Sequence, residues 1–170
     1  MTPTRKLVAA LTLVSVLLFS TMVPGGPIET RNFANIGEPS VILFNIFLTT
    51  LGIGSLALVY SVLKGGRWVA HATAIAGLGF AVVYALDLLS IFPVSLDPMP
   101  SLLQRREIIG MIISLALIGA SFALARENSS GNDPITMMSA KPTFLIAGGV
   151  AILIGAGIVI FASSHAMHAR

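Results

Sequence analysis

The chain contains no cysteine. That excludes disulfides, thiolate metal centres, iron–sulfur clusters and a cysteine nucleophile. Charge is scarce as well. Only 10% of the 170 residues are Asp, Glu, Lys or Arg, where a soluble domain carries about 25%. So little charge cannot cover a conventional water-soluble surface. Alternation of polar and apolar residues along strand-length segments is also missing, which excludes a membrane β-barrel. No Ser/His/Asp arrangement, phosphate-binding glycine loop or HExxH pattern is present. Nucleophilic, nucleotide-dependent and zinc-hydrolase chemistry therefore have no visible starting point, and the expectation is a protein that is not an enzyme.

What fills the chain instead is apolar sequence. Hydrophobic residues make up 55% of it, gathered into five runs at about residues 7–23, 40–63, 68–92, 108–125 and 143–163. A helix needs about 20 apolar residues to cross a bilayer. The fold class expected is therefore all-α, a single integral membrane bundle over residues 1–170 with five transmembrane helices. The first run follows Arg5 and Lys6 as a signal peptide would. It lacks a small-x-small cleavage site, because Phe19, Met22 and Val23 stand where small residues belong. An uncleaved anchor is expected, and four helices remain if the run is removed.

The connections are short. Lys64-Gly65-Gly66-Arg67 makes a tight basic turn. Pro93, Pro98 and Pro100 stiffen the segment after the third run. Residues 101–107 are expected to form a short interfacial helix before the fourth run, and residues 126–142 a polar loop. Residues 25–39 are expected to be an ordinary connection, with a lid over the bundle mouth as the alternative, because Ile28, Phe33 and Ile36 are interspersed with charge.

The net charge of +3 does not indicate nucleic-acid binding, since the bases stand singly or in pairs at run ends. They report topology instead. Arg5, Lys6, Lys64, Arg67, Arg126 and Lys141 fall on one side, and Arg31, Arg105, Arg106 and Arg170 on the other. The excess places the N-terminus in the cytoplasm and the C-terminus outside, in a prokaryotic plasma membrane. The partners expected are the lipid bilayer and either further copies of the chain or a larger membrane complex.

One acidic residue lies within an apolar run, Asp87, about five residues or ~7–8 Å from the outer end of the third run. A carboxylate there is costly and requires a partner. Asn45 is expected at the same depth. Tyr84 stands one turn away on the same helix, placed to cap the carboxylate with its hydroxyl. Arg105, Arg106 and Glu107 open the fourth run on that side. One reading is an internal clamp, with Asp87 accepting from Arg105 or Arg106 and with Asn45 and Tyr84 satisfying its other lone pairs. The other reading is a site for a proton, a cation or a basic substrate group.

The three histidines build little. His71 has no second histidine at its depth, so a haem between helices is not expected. His165 and His168 offer at most half a metal site on a tail. No cofactor and no metal are expected. Small residues at four-residue intervals, Thr73, Gly77, Ala81 and Ala85 in the third run and Ala147, Ala151 and Gly155 in the fifth, predict close helix contacts. The functional expectation is a structural or accessory component of a membrane assembly. The alternative is a small transporter or channel using Asp87 and Asn45.

Overall fold

The computed structural model describes residues 1–22, 28–33, 35–66, 68–130, 155 and 157–160. It is all-helical over these residues. Four helices, α1 Pro3–Ser20, α2 Glu38–Lys64, α3 Trp68–Leu88 and α4 Ser101–Ser130, follow one another. All four are long and apolar enough to cross a membrane. Each packs most closely on its chain neighbours, and α4 closes the ring against α1. The result is an up-down-up-down bundle. The third and fourth helices share the largest interface, and α3 is the most buried of the four.

Local chemistry sets the helix ends. Thr2 caps α1 by accepting from the Arg5 amide at 3.3 Å, with Pro3 in the first turn where a missing N–H costs nothing. Gly37 precedes α2, Pro39 sits in its first turn, and Glu38 and Lys64 lie at the dipole ends that favour their charges. The third helix stops at Leu88, four residues before the end of its apolar run. There Ser90 adopts φ 53°. The Ser90 amide donates to Asp87 O at 2.8 Å and the Ile91 amide to Leu86 O at 2.8 Å. These two bonds are those of a Schellman cap, with serine in the left-handed position that glycine usually takes.

The fourth helix differs most from expectation. It is continuous from Ser101 to Ser130, so residues 101–107 are its first turns and not a separate interfacial helix. Arg126, Glu127, Asn128 and Ser129 are its last turns and not the start of a loop. The charges mark where the apolar run ends; they do not end the helix, because Arg and Glu are good helix formers. At about 45 Å the helix outruns a hydrocarbon core of roughly 30 Å.

The core has two parts. Val8, Ala9, Val62, Val69, Ala70, Leu117 and Leu124 pack near the N-terminal end, and Phe19, Phe80, Val83 and Tyr84 near the opposite end. Between them the small-residue series on α3 does what its spacing predicts. A Cβ on Gly77 would stand 3.0 Å from Ile118 Cγ1, and the Ser121 hydroxyl donates to Thr73 Oγ1 at 2.9 Å. The close contact is within the chain. Most of the fifth run, and with it His165 and His168, lies outside the described residues. Gly155 and residues 157–160 are helical. A Cβ on Gly155 would be 3.2 Å from Thr49 Cγ2, which places this glycine against α2.

Candidate functional site

The partner of Asp87 is Arg31. This replaces the expected pairing with Arg105 or Arg106. Arg31 comes from the connection between α1 and α2 and reaches into the end of the bundle. Its Nη1 donates to Asp87 Oδ1 at 2.9 Å and its Nη2 to Asp87 Oδ2 at 2.7 Å, a two-pronged match of guanidinium to carboxylate that lysine cannot make. The same guanidinium also holds Glu29, with Nε to Oε1 at 2.9 Å and Nη2 to Oε2 at 2.6 Å. Phe33 lies under the guanidinium, its ring centre 5.2 Å from Cζ. Arg31, Glu29 and Asp87 are 6%, 4% and 7% exposed. Burial lowers the pKa of Arg31, but hydrogen bonds and charge from Glu29 and Asp87 outweigh it and raise that pKa above the ordinary guanidinium value. Its positive charge is permanent.

The rest of the cap fastens the latch. The Asn32 amide donates to Asp97 Oδ2 at 2.9 Å, Ser95 Oγ donates to Asn32 O at 2.8 Å, and Asn35 Nδ2 donates to Val94 O at 3.0 Å. The proline-rich segment after α3 and the connection after α1 are thus joined over the bundle end. Ile28 and Phe33 are buried beneath them, and Phe33 packs on Val41 and Ile36. The described part of the connection, residues 28–33 and 35–37, lies over the bundle mouth as a lid, the alternative reading of its composition.

Asp87 is not deep. Because α3 ends at Leu88, it stands in the last turn, at the mouth of the bundle. Asn45, Tyr84 and Glu107 line the same cavity of about 60 Å³ beneath the lid, so four of the six residues expected at the site meet there. Arg105 and Arg106 do not join them. Arg105 is exposed, and Arg106 Nη1 donates to Thr21 Oγ1 at 3.0 Å. The physical reason is direction. Side chains on α4 at 105 and 106 leave the face that Glu107 presents inward.

Tyr84 also departs from expectation. Its hydroxyl is buried and makes no hydrogen bond, so it does not cap Asp87. The ring end lies over Gly110, where a Cβ would come within 2.5 Å of Tyr84 Cζ. Gly110 therefore makes the space that the phenol occupies. Glu107, one turn earlier on α4, is 3% exposed and faces Asp87 across the cavity, and its Oε2 has no hydrogen-bond partner. Three buried carboxyl groups thus surround a single guanidinium. Among the described residues, no group of His, Asp and Glu is arranged to hold a metal ion.

Arg31, Glu29 and Gly110 are the site residues that sequence reasoning missed. Arg31 had a signal, being a base within a connection that also carries Glu29 and bulky apolar residues. Gly110 had none, because its role depends on the register of α4 against α3.

No curated protein matches this chain, and no solved structure does. A family model matches residues 4–135, a stretch that takes in nearly all of the four helices and every residue of the latch and its cavity. The chain belongs to the family described as Domain of unknown function (DUF8051).

Proposed function

We propose that the protein is a non-enzymatic multi-pass membrane protein, a structural or accessory component of a membrane assembly. Its outward surface supports the membrane reading. Ile75, Leu43 and Ile112 are 71%, 69% and 62% exposed, an arrangement that suits lipid and would be a liability in water. The observation that carries the accessory role is the occupation of Asp87. Both its oxygens are held by Arg31 of the same chain, so the one carboxylate within the apolar runs is used to fasten the fold and not presented to a pathway. Transport through Asp87 and Asn45 is the second reading. It draws on the cavity that these residues share and is weakened by the same ion pair.

The N-terminus is on the cytoplasmic side in this proposal. Arg31 is neutralised between Glu29 and Asp87, so it no longer counts as a free base at the latched end. That sharpens the positive-inside asymmetry.

Mild extraction from the native membrane followed by native mass spectrometry tests the role. A reproducible partner subunit is the expected result. A lone protein that conducts protons or cations in liposomes, and loses that flux in Asp87→Asn while still folded, would replace the accessory role with transport.

A further inference from the structure

We propose that the cavity beneath the lid binds a small organic ammonium ion. The accessory role neither requires nor excludes such a site. Its strongest support is a pair of unanswered polar groups. Glu107 Oε2 and the Tyr84 hydroxyl are both buried without a hydrogen-bond partner, and both residues line the cavity. A buried polar atom without a partner carries a penalty that a ligand donor or acceptor would remove. The two groups come from adjacent helices, with Tyr84 on α3 and Glu107 on α4.

The charge of the ligand follows from the residues around it. Arg31 spends its guanidinium fork on Glu29 and Asp87. Nothing in that fork reaches Glu107, which faces Asp87 with a second carboxyl group. Glu29 and Asp87 together carry one charge more than the Arg31 between them, so an anion would be repelled, whereas a cation with N–H donors would complete Glu107. Its remaining surface would meet rings. Phe19, Phe44 and Phe92 line the same space, and Phe44 and Phe92 meet edge to face at 4.9 Å between centroids. Aromatic walls beside an acidic cluster suit an alkylated ammonium, whose charge is spread over carbon. A bare metal ion is a poorer match, because no three ligating groups converge among the described residues. A volume of about 60 Å³ limits the guest to a few heavy atoms.

Titration calorimetry on the full chain in lipid nanodiscs, with methylammonium as the probe and potassium as the competitor, tests the assignment. Saturable methylammonium binding that potassium does not displace is expected. Glu107→Gln should weaken it about tenfold or more, as loss of a charged hydrogen bond does, and Tyr84→Phe should weaken it about threefold or more. The Phe variant keeps the ring and fill of the site, so it carries the test if Glu107→Gln fails to fold. Absence of saturable binding, displacement by equal potassium, or unchanged affinity in a folded variant of either residue would overturn the site.

Discussion

The two ends of the bundle use the same chemistry in different solvents. At the N-terminal end, Arg5 Nη2 donates to Asn128 Oδ1 at 3.1 Å and the Thr4 hydroxyl donates to Glu127. This joins the start of α1 to the end of α4. At the other end, Arg31 joins the connection after α1 to the end of α3 through Glu29 and Asp87. Both arrangements tie early chain to late chain through an arginine. Only the second is fully buried; the Arg5–Asn128 bond is half-buried and the Thr4–Glu127 bond exposed. Hydrogen bonds that water can reach contribute about 0.5–1.5 kcal/mol net, because water competes for both partners. Removing one partner of a buried pair costs about 3–5 kcal/mol, because the survivor is left charged and unsolvated. The latched end should therefore dominate stability, although the two ends look alike as lists of bonds.

The largest expected effect is loss of the latch. Arg31→Gln should lower the unfolding free energy in detergent by about 3–5 kcal/mol, because it leaves Glu29 and Asp87 buried without a cation, and Asp87→Asn should cost less, because Arg31 keeps Glu29. A loss below about 1 kcal/mol would show that water already reaches the pair, and the contrast between the ends would disappear. Next comes Gly110→Ala. The new methyl would collide with the buried Tyr84 ring end. An overpacking cost of about 1–3 kcal/mol should exceed the ~1 kcal/mol gained in helix propensity, and thermal unfolding would record a net decrease.

Ser90→Gly should act in the opposite direction. Serine at φ 53° carries a left-handed penalty of about 1–2 kcal/mol that glycine does not. The gain should approach 1 kcal/mol after the entropy of glycine in the unfolded chain is subtracted. A loss of stability would mean that the serine side chain contributes to the cap of α3. The smallest effect is expected at the other end. Arg5→Gln should cost about 1 kcal/mol, since it removes one half-buried hydrogen bond to a neutral amide, well below the cost of Arg31→Gln. Equal losses in the two variants would contradict the difference in burial.

Much of the architecture was legible because long apolar runs are a blunt signal. A helix able to cross a bilayer must be apolar for the whole crossing, and α1 to α4 stand out as such runs. Their ends were less legible. Apolar sequence continues past Leu88 to Phe92, and the helix stops for a backbone reason, the turn at Ser90. Helix continues past Ala125 although hydrophobicity stops, since Arg126 and Glu127 support helix in water as readily as alanine does in lipid. At the site, Asp87, Asn45, Tyr84 and Glu107 could be grouped because residues at equal depth on neighbouring helices meet. Arg31 escaped that logic. It lies in a connection, where depth has no periodicity to report it, and it was counted as a base marking topology. Arg105 and Arg106 satisfied depth but not direction, which one residue of helical rotation decides.

The central claim is that Arg31 and Asp87 act as one buried unit. A double-mutant cycle measures it most directly, using Arg31→Met, Asp87→Leu and their combination, with unfolding followed in detergent. The account predicts that the double variant loses less than the sum of the single losses, with a coupling of at least about 2 kcal/mol. Additive losses would contradict it, because they would mean that neither side chain responds to the absence of the other.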